Sequence, residues 1–82
     1  EPGTAGMLYT LLAKIALARG ELEEGRRLCQ EAAEVLAGTV AVHYLDDVWQ
    51  TLADIEEKAG NLPAALAALR RVTAGRRTPA RG

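Results

Sequence analysis

Apolar residues recur along the chain at spacings of three and four, the period of one face of an α-helix. Leu8, Leu11, Leu12, Ile15 and Ala16 predict a first helix from about Met7 to Arg19, with one apolar face. Residues 1–6, EPGTAG, hold Pro and Gly and predict a loop lead-in. Gly20 then stands as a left-handed stop. A second helix is expected at once, from Glu21 or Leu22, with Leu22, Gly25, Leu28, Cys29, Ala32, Val35 and Leu36 as its stripe. Glu21, Glu23 and Glu24 load its positive end with acid. Gly38 closes it, and Thr39 is expected to cap a third helix running to about Ala59, with Leu45, Val48, Trp49, Leu52 and Ile55 inward. Gly60 is the next stop. Asn61 is a good N-cap for a fourth helix, and Pro63 falls in its first turn, where a missing N–H costs little. Leu62, Ala65, Leu66, Leu69 and Val72 form its stripe, and Gly75 is its expected stop. The basic tail 76–82, RRTPARG, lacks apolar anchors and is expected to be disordered.

The expected fold class is all-α. Turns this short force consecutive helices to lie antiparallel and adjacent. The chain therefore divides into a lead-in 1–6, a first hairpin 7–38, a second hairpin 39–75 and a tail 76–82, one domain in all.

The halves align with a constant 40-residue offset, as from Ala13 to Ala53. Tyr9, Leu12, Ala13, Ala16, Gly20, Gly25, Cys29 and Ala32 fall in register with Trp49, Leu52, Ala53, Glu56, Gly60, Ala65, Leu69 and Val72. This resembles the tetratricopeptide repeat, whose signature is W-x2-L-G-x2-Y, then A-x3-F, then P, over about 34 residues. Trp49-x2-Leu52-Ala53 fits the first element, Tyr9-x2-Leu12-Ala13 is a conservative variant, and Ala65-x3-Leu69 and Gly25-x3-Cys29 fit the second. The usual Tyr is Ala16 and Glu56 here, the usual Phe is Cys29 and Leu69, and the closing Pro is absent after the first repeat. The surplus over the usual period, roughly six residues, is expected in the second or the third helix, near TVAVHY. The resemblance implies a two-repeat α-solenoid with Tyr9, Leu12, Ala13, Cys29, Trp49, Leu52, Ala53, Ala65 and Leu69 in its core.

Composition narrows the function. Hydrophobic residues make up 49% of 82, yet aromatics are only 4%, so the apolar mass is Ala and Leu, which favours helices. A net charge of −1 gives no global field for nucleic acid or anionic membrane. The single cysteine, Cys29, excludes an internal disulfide and a Cys-based zinc cluster. There is no apolar run of membrane-spanning length and no basic leader, so a cytoplasmic location is expected. The missing initiator Met fits a piece of a longer protein.

Candidate chemistry is thin. His43 with Asp46 and Asp47 has helical spacing, but no second His accompanies it, and a solvated helix start explains it better than a metal site. Cys29 lies in an apolar stripe without a nearby base and is expected in the core rather than as a nucleophile. Trp49 fits a packing role better than a stacking platform. The chain has no Ser, so no Ser-His-Asp arrangement exists, and its isolated glycines make no phosphate-cradling loop. Arg26–Arg27, Arg70–Arg71 and Arg76–Arg77 are basic pairs, the first set against Glu23, Glu24 and Glu31, which argues for solvated faces over a nucleic-acid stripe. No catalytic residue, metal, cofactor or small-molecule substrate is expected.

The resemblance implies that first helices line an inner, partner-binding surface: Thr10, Lys14 and Leu17, then Asp47, Gln50, Asp54 and Glu57. Asp54 and Glu57 would repel a carboxylate tail, so the expected ligand is an apolar helix or strand with basic residues. The implied role is a protein-interaction module from a larger bacterial regulatory or signalling protein. A second expectation is homodimerisation through Met7, Leu11 and Leu17 of the uncovered first helix, because repeat arrays usually need capped ends.

Overall fold

The computed structural model describes residues 2–39 and 42–76, with side chains for 3–39 and 43–72. The described residues form helices and turns with no strand: α1 Pro2–Ala18, α2 Leu22–Leu36, a 3-10 turn Val42–Tyr44, α3 Leu45–Lys58 and α4 Leu62–Arg76. The all-α expectation therefore holds.

Gly20 and Gly60 carry the two sharp turns. Their φ values are +77° and +83°, a region that a Cβ disfavours. After α1, the Glu21 N–H donates to the Ala16 carbonyl at 2.8 Å and the Gly20 N–H to Leu17 at 3.0 Å. Forty residues on, Asn61 donates to Glu56 at 2.8 Å and Gly60 to Glu57 at 3.0 Å. Both pairs are the closing bonds of a Schellman motif, which satisfy carbonyls the helix end leaves open. Asn61 also caps α4, accepting from the Ala64 N–H at 3.3 Å.

Other boundaries differ from expectation. Gly38 does end α2 with a φ of +76°, but the Thr39 hydroxyl donates back to the Leu36 carbonyl at 2.8 Å. Thr39 thus serves the end of α2, not the start of a third helix. That helix begins at Leu45, and α2 and α3 have ordinary lengths of 15 and 14 residues. Neither helix carries added length, and residues 37–44 lie between them. α4 continues through Gly75 to Arg76, so Gly75 is no stop. The expected tail beyond Arg76 lies outside the described residues.

α1 begins at Pro2 rather than Met7. Proline is well placed at a first helical position, where its missing N–H has no intrahelical partner anyway. The added turn lies on the end of α2 through Gly6. A Cβ there would fall 2.5 Å from Cγ of Leu36, a side chain with no exposure and so no room to yield. Gly6→Ala is therefore expected to destabilise the fold by about 1–2 kcal/mol in urea titration, because overpacking outweighs the gain in helix propensity.

α1 packs along α2, α3 along α4, and α3 also against α2 and α1. The core contains Ala13, Ala16, Leu28, Cys29, Ala32, Leu36, Val48 and Ile55, with Tyr9, Leu17, Leu22, Trp49 and Leu52 packed on it. Ala53 and Ala65 are also buried. Of the expected apolar face of α1, only Ala16 is buried. Gly3, Gly6, Thr10, Ala13 and Ala16 face inward, while Met7, Leu8, Leu11, Leu12 and Ile15 are about half exposed. Small residues let α1 and α2 approach closely, and among the described residues the neighbours of α1 lie on that side, so its leucines point outward. α4 does the same: Ala65, Ala68 and Val72 are buried, and Leu62, Leu66 and Leu69 are exposed. Leu12 and Leu69 are thus surface residues, not the core positions expected.

Candidate interaction surfaces

Along α3, Asp47, Gln50, Asp54 and Glu57 are all exposed and spaced by three and four residues, so they form one ridge. On its α1 side lies a shallow cavity of about 270 Å³, lined by Met7, Leu8, Leu11, Lys14 and Tyr44. On its α4 side lies another of about 230 Å³, lined by Ala53, Leu62, Ala65, Leu66 and Leu69. Lys14 reaches across from α1, its Nζ 3.0 Å from the Asp47 carboxylate. Gln50 donates to Asp54 at 3.2 Å. The ridge is acidic toward its C-terminal end, with apolar hollows to either side.

Of the residues expected on this surface, Lys14, Asp47, Gln50, Asp54 and Glu57 are brought together. Thr10 lines the hollow on the α1 side but is 4% exposed, and its hydroxyl donates to the Gly6 carbonyl at 2.8 Å. Its hydroxyl satisfies a bond within the helix while its small size suits the contact with α2. Leu17 is half-buried against the core, so it cannot serve as the free apolar residue expected of it. Met7 and Leu11 are exposed as expected.

An ion pair that sequence reasoning passed over joins the halves. Arg26 on α2 donates through Nε and Nη2 to the two oxygens of Glu56 on α3, at 2.7 and 2.9 Å, and through Nη1 to Glu23 at 2.6 Å. Glu56 is 6% exposed. The Arg26 hydrogen bonds hold the Glu56 carboxyl below its ordinary value, overcoming the opposite pull of burial. The signal was legible: Glu56 falls four residues after Leu52, on the apolar side of its helix.

The remaining candidates are structural. Cys29 has no exposure, and burial pushes its thiol up to about 12, with the Asp47 and Glu56 charges adding to the shift. A thiol so placed stays neutral and is a poor nucleophile. The His43 ring lies against Tyr44, with centroids 4.3 Å apart. Among the described residues no group of three or more His, Cys, Asp and Glu is placed to hold a metal ion. Trp49 packs on the core and carries the Arg71 guanidinium 4.5 Å above its ring, a cation–π contact. Arg27 pairs with Glu24 at 2.7 Å, so neither Arg26 nor Arg27 belongs to a free basic stripe. Arg77 and Arg81 lie outside the described residues. Among those residues, no helix is long and apolar enough to cross a membrane.

No protein-family model matches the chain, and no curated protein or solved structure does.

Proposed function

We propose that this chain is a non-catalytic protein-interaction module of tetratricopeptide-like type, with α1–α2 and α3–α4 as successive hairpins. The repeated turn supports the reading. So do the helix ends, since Ala18 and Lys58, and Leu22 and Leu62, stand at the same offset as Ala13 and Ala53. The observation that carries an interaction role is the outward face of α1, where Met7, Leu8, Leu11, Leu12 and Ile15 are each close to half exposed. Contiguous apolar surface of this kind marks contact sites. Rigid hairpins would present it with little ordering cost on binding. A parent protein of bacterial regulatory or signalling type belongs to the same proposal and rests on the resemblance alone.

The ridge selects the ligand's charge. An amphipathic helix with a basic polar face suits Asp54 and Glu57 better than an acidic one. Fluorescence anisotropy with two labelled helical peptides, matched in apolar face and opposite in charge, tests this. The basic peptide is expected to bind several-fold tighter, and Asp54→Lys/Glu57→Lys to reverse the order, since exposed charges contribute about 0.5 kcal/mol each. Failure of both peptides to bind, or a preference unmoved by the double substitution, would contradict the reading.

A further inference from the structure

The internal offset relates the two ends of the molecule as well as its two halves. α3 is seated against α2 and α1. Its Ile55 Cδ1 stands over Gly25, where a Cβ would lie 2.9 Å away. Val48, Thr51 and Ile55 are exposed by 0%, 3% and 0%, beside Ala53 and Glu56, which are buried as their α1 counterparts Ala13 and Ala16 are. Forty residues before Val48, Thr51 and Ile55 stand Leu8, Leu11 and Ile15, exposed by 55%, 54% and 46%. α1 thus offers to solvent positions that α3 buries.

The receiving side shows the same relation. Lys14 and Arg26 are bonded to α3, Gly25 lies under Ile55, and Ala13 and Cys29 belong to the same buried cluster as Val48 and Ile55. Their counterparts, in chain order, are Ala53, Asp54, Ala65, Leu66 and Leu69, and these line the open groove between α3 and α4. One end of the molecule carries the inserting face and the other carries the groove.

We propose that these ends are two halves of one interface, and that a second copy of this chain seats its α1 in the α3–α4 groove, head to tail. The inference rests on the interaction-module reading above and names its partner. The positions that pair as Arg26 and Glu56 in the internal joint are Leu66 and Ala16 at the ends, and Ala16 is already buried inside its own copy, so no ion pair is repeated there. Where the internal joint pairs Lys14 with Asp47, the ends set Asp54 against Met7. The joint between copies is therefore mostly apolar, and Leu8, Leu11 and Ile15 match Leu62 and Leu66 in kind. Ala65 brings a methyl where Gly25 has none, and the flexible end of Ile15 yields to it. Such an interface is heterologous, so association does not close at two copies.

Sedimentation velocity over a concentration series, with two variants, tests the proposal. Leu8→Glu/Leu11→Glu spoils the inserting face, and Leu62→Glu/Leu66→Glu spoils the groove. These are surface positions, so both variants should keep their helical circular dichroism. The wild-type mass is expected to rise with concentration past two chains. Each variant alone should be monomeric, and an equimolar mixture should yield a species of two chains and nothing larger, because each supplies the half the other lacks. Three results would overturn the proposal: a wild-type chain monomeric throughout, a groove variant that still dimerises through α1 against α1, or a mixture that stays monomeric. A monomeric wild type that still binds the basic helical peptide would sink head-to-tail assembly and leave the interaction-module reading standing.

Discussion

Ile55→Ala is expected to remove about 3 kcal/mol of unfolding free energy, the usual cost of truncating a buried Ile. Ile55 is fully buried, and its side chain seats α3 against α2 at Gly25. Domains of this kind hold about 5–15 kcal/mol in all, so one such change removes a large share. The contact geometry makes a sharper statement. A Cβ at Gly25 would meet Ile55 Cδ1 at 2.9 Å but Cγ1 at 3.5 Å. Gly25→Ala alone should therefore cost about 1 kcal/mol through crowding, despite its better helix propensity. In an Ile55→Val background Cδ1 is gone, and the same Gly25→Ala change should become neutral or stabilising. Urea titration of the four proteins gives the coupling. Equal effects of Gly25→Ala in both backgrounds would mean that Ile55 does not rest on Gly25.

Glu56→Ala is the second large effect expected, at about 2 kcal/mol. Removing one partner of a fully buried pair costs about 3–5 kcal/mol, and Arg26 keeps 24% of its side chain exposed and a second bond to Glu23, which lowers the figure. Glu23→Ala, at a carboxylate exposed by 91%, should cost under about 0.5 kcal/mol. The pair also sets a pH dependence. The Glu56 carboxyl is held below its ordinary 4.5, so the unfolded chain takes up this proton before the native state does. The stability it contributes is fully present above about 4.5 and is lost as pH falls through the lowered native value. Glu56→Gln should flatten the acid side of the stability–pH curve relative to wild type. Parallel curves would show that Glu56 does not titrate against Arg26.

The turns were legible because their physics is local. A left-handed residue between two runs of good helix formers calls for Gly, and Gly20, Gly38 and Gly60 all have positive φ. α2 was legible because its one apolar stripe meets neighbours, and Leu28, Cys29, Ala32 and Leu36 are buried as expected. α1 was not, because it has two candidate faces. Periodicity marks the leucine face, but the buried side of α1 is the small face of Gly6, Thr10, Ala13 and Ala16, and among the described residues nothing covers the other. Pro2 misled in the same way: a residue that breaks a helix interior is suited to a helix start. On the candidate surface, the ridge from Asp47 to Glu57 was an implication of the repeat resemblance, and its spacing of three and four residues is what puts the four side chains on one exposed face. The places of Thr10 and Leu17 were not legible, since their orientation depends on how α1 is rotated against α2 and α3.

That rotation is the point on which the whole account turns, and hydroxyl-radical footprinting of dilute, monomeric protein tests it most directly. Leu8, Leu11, Leu12 and Ile15 should be oxidised readily, while Val48 and Ile55, the counterparts of Leu8 and Ile15 in α3, stay protected. Protection of the α1 leucines to the level of Ile55 under dilute conditions would contradict the account, because the outward apolar face on which both interaction proposals stand would not exist.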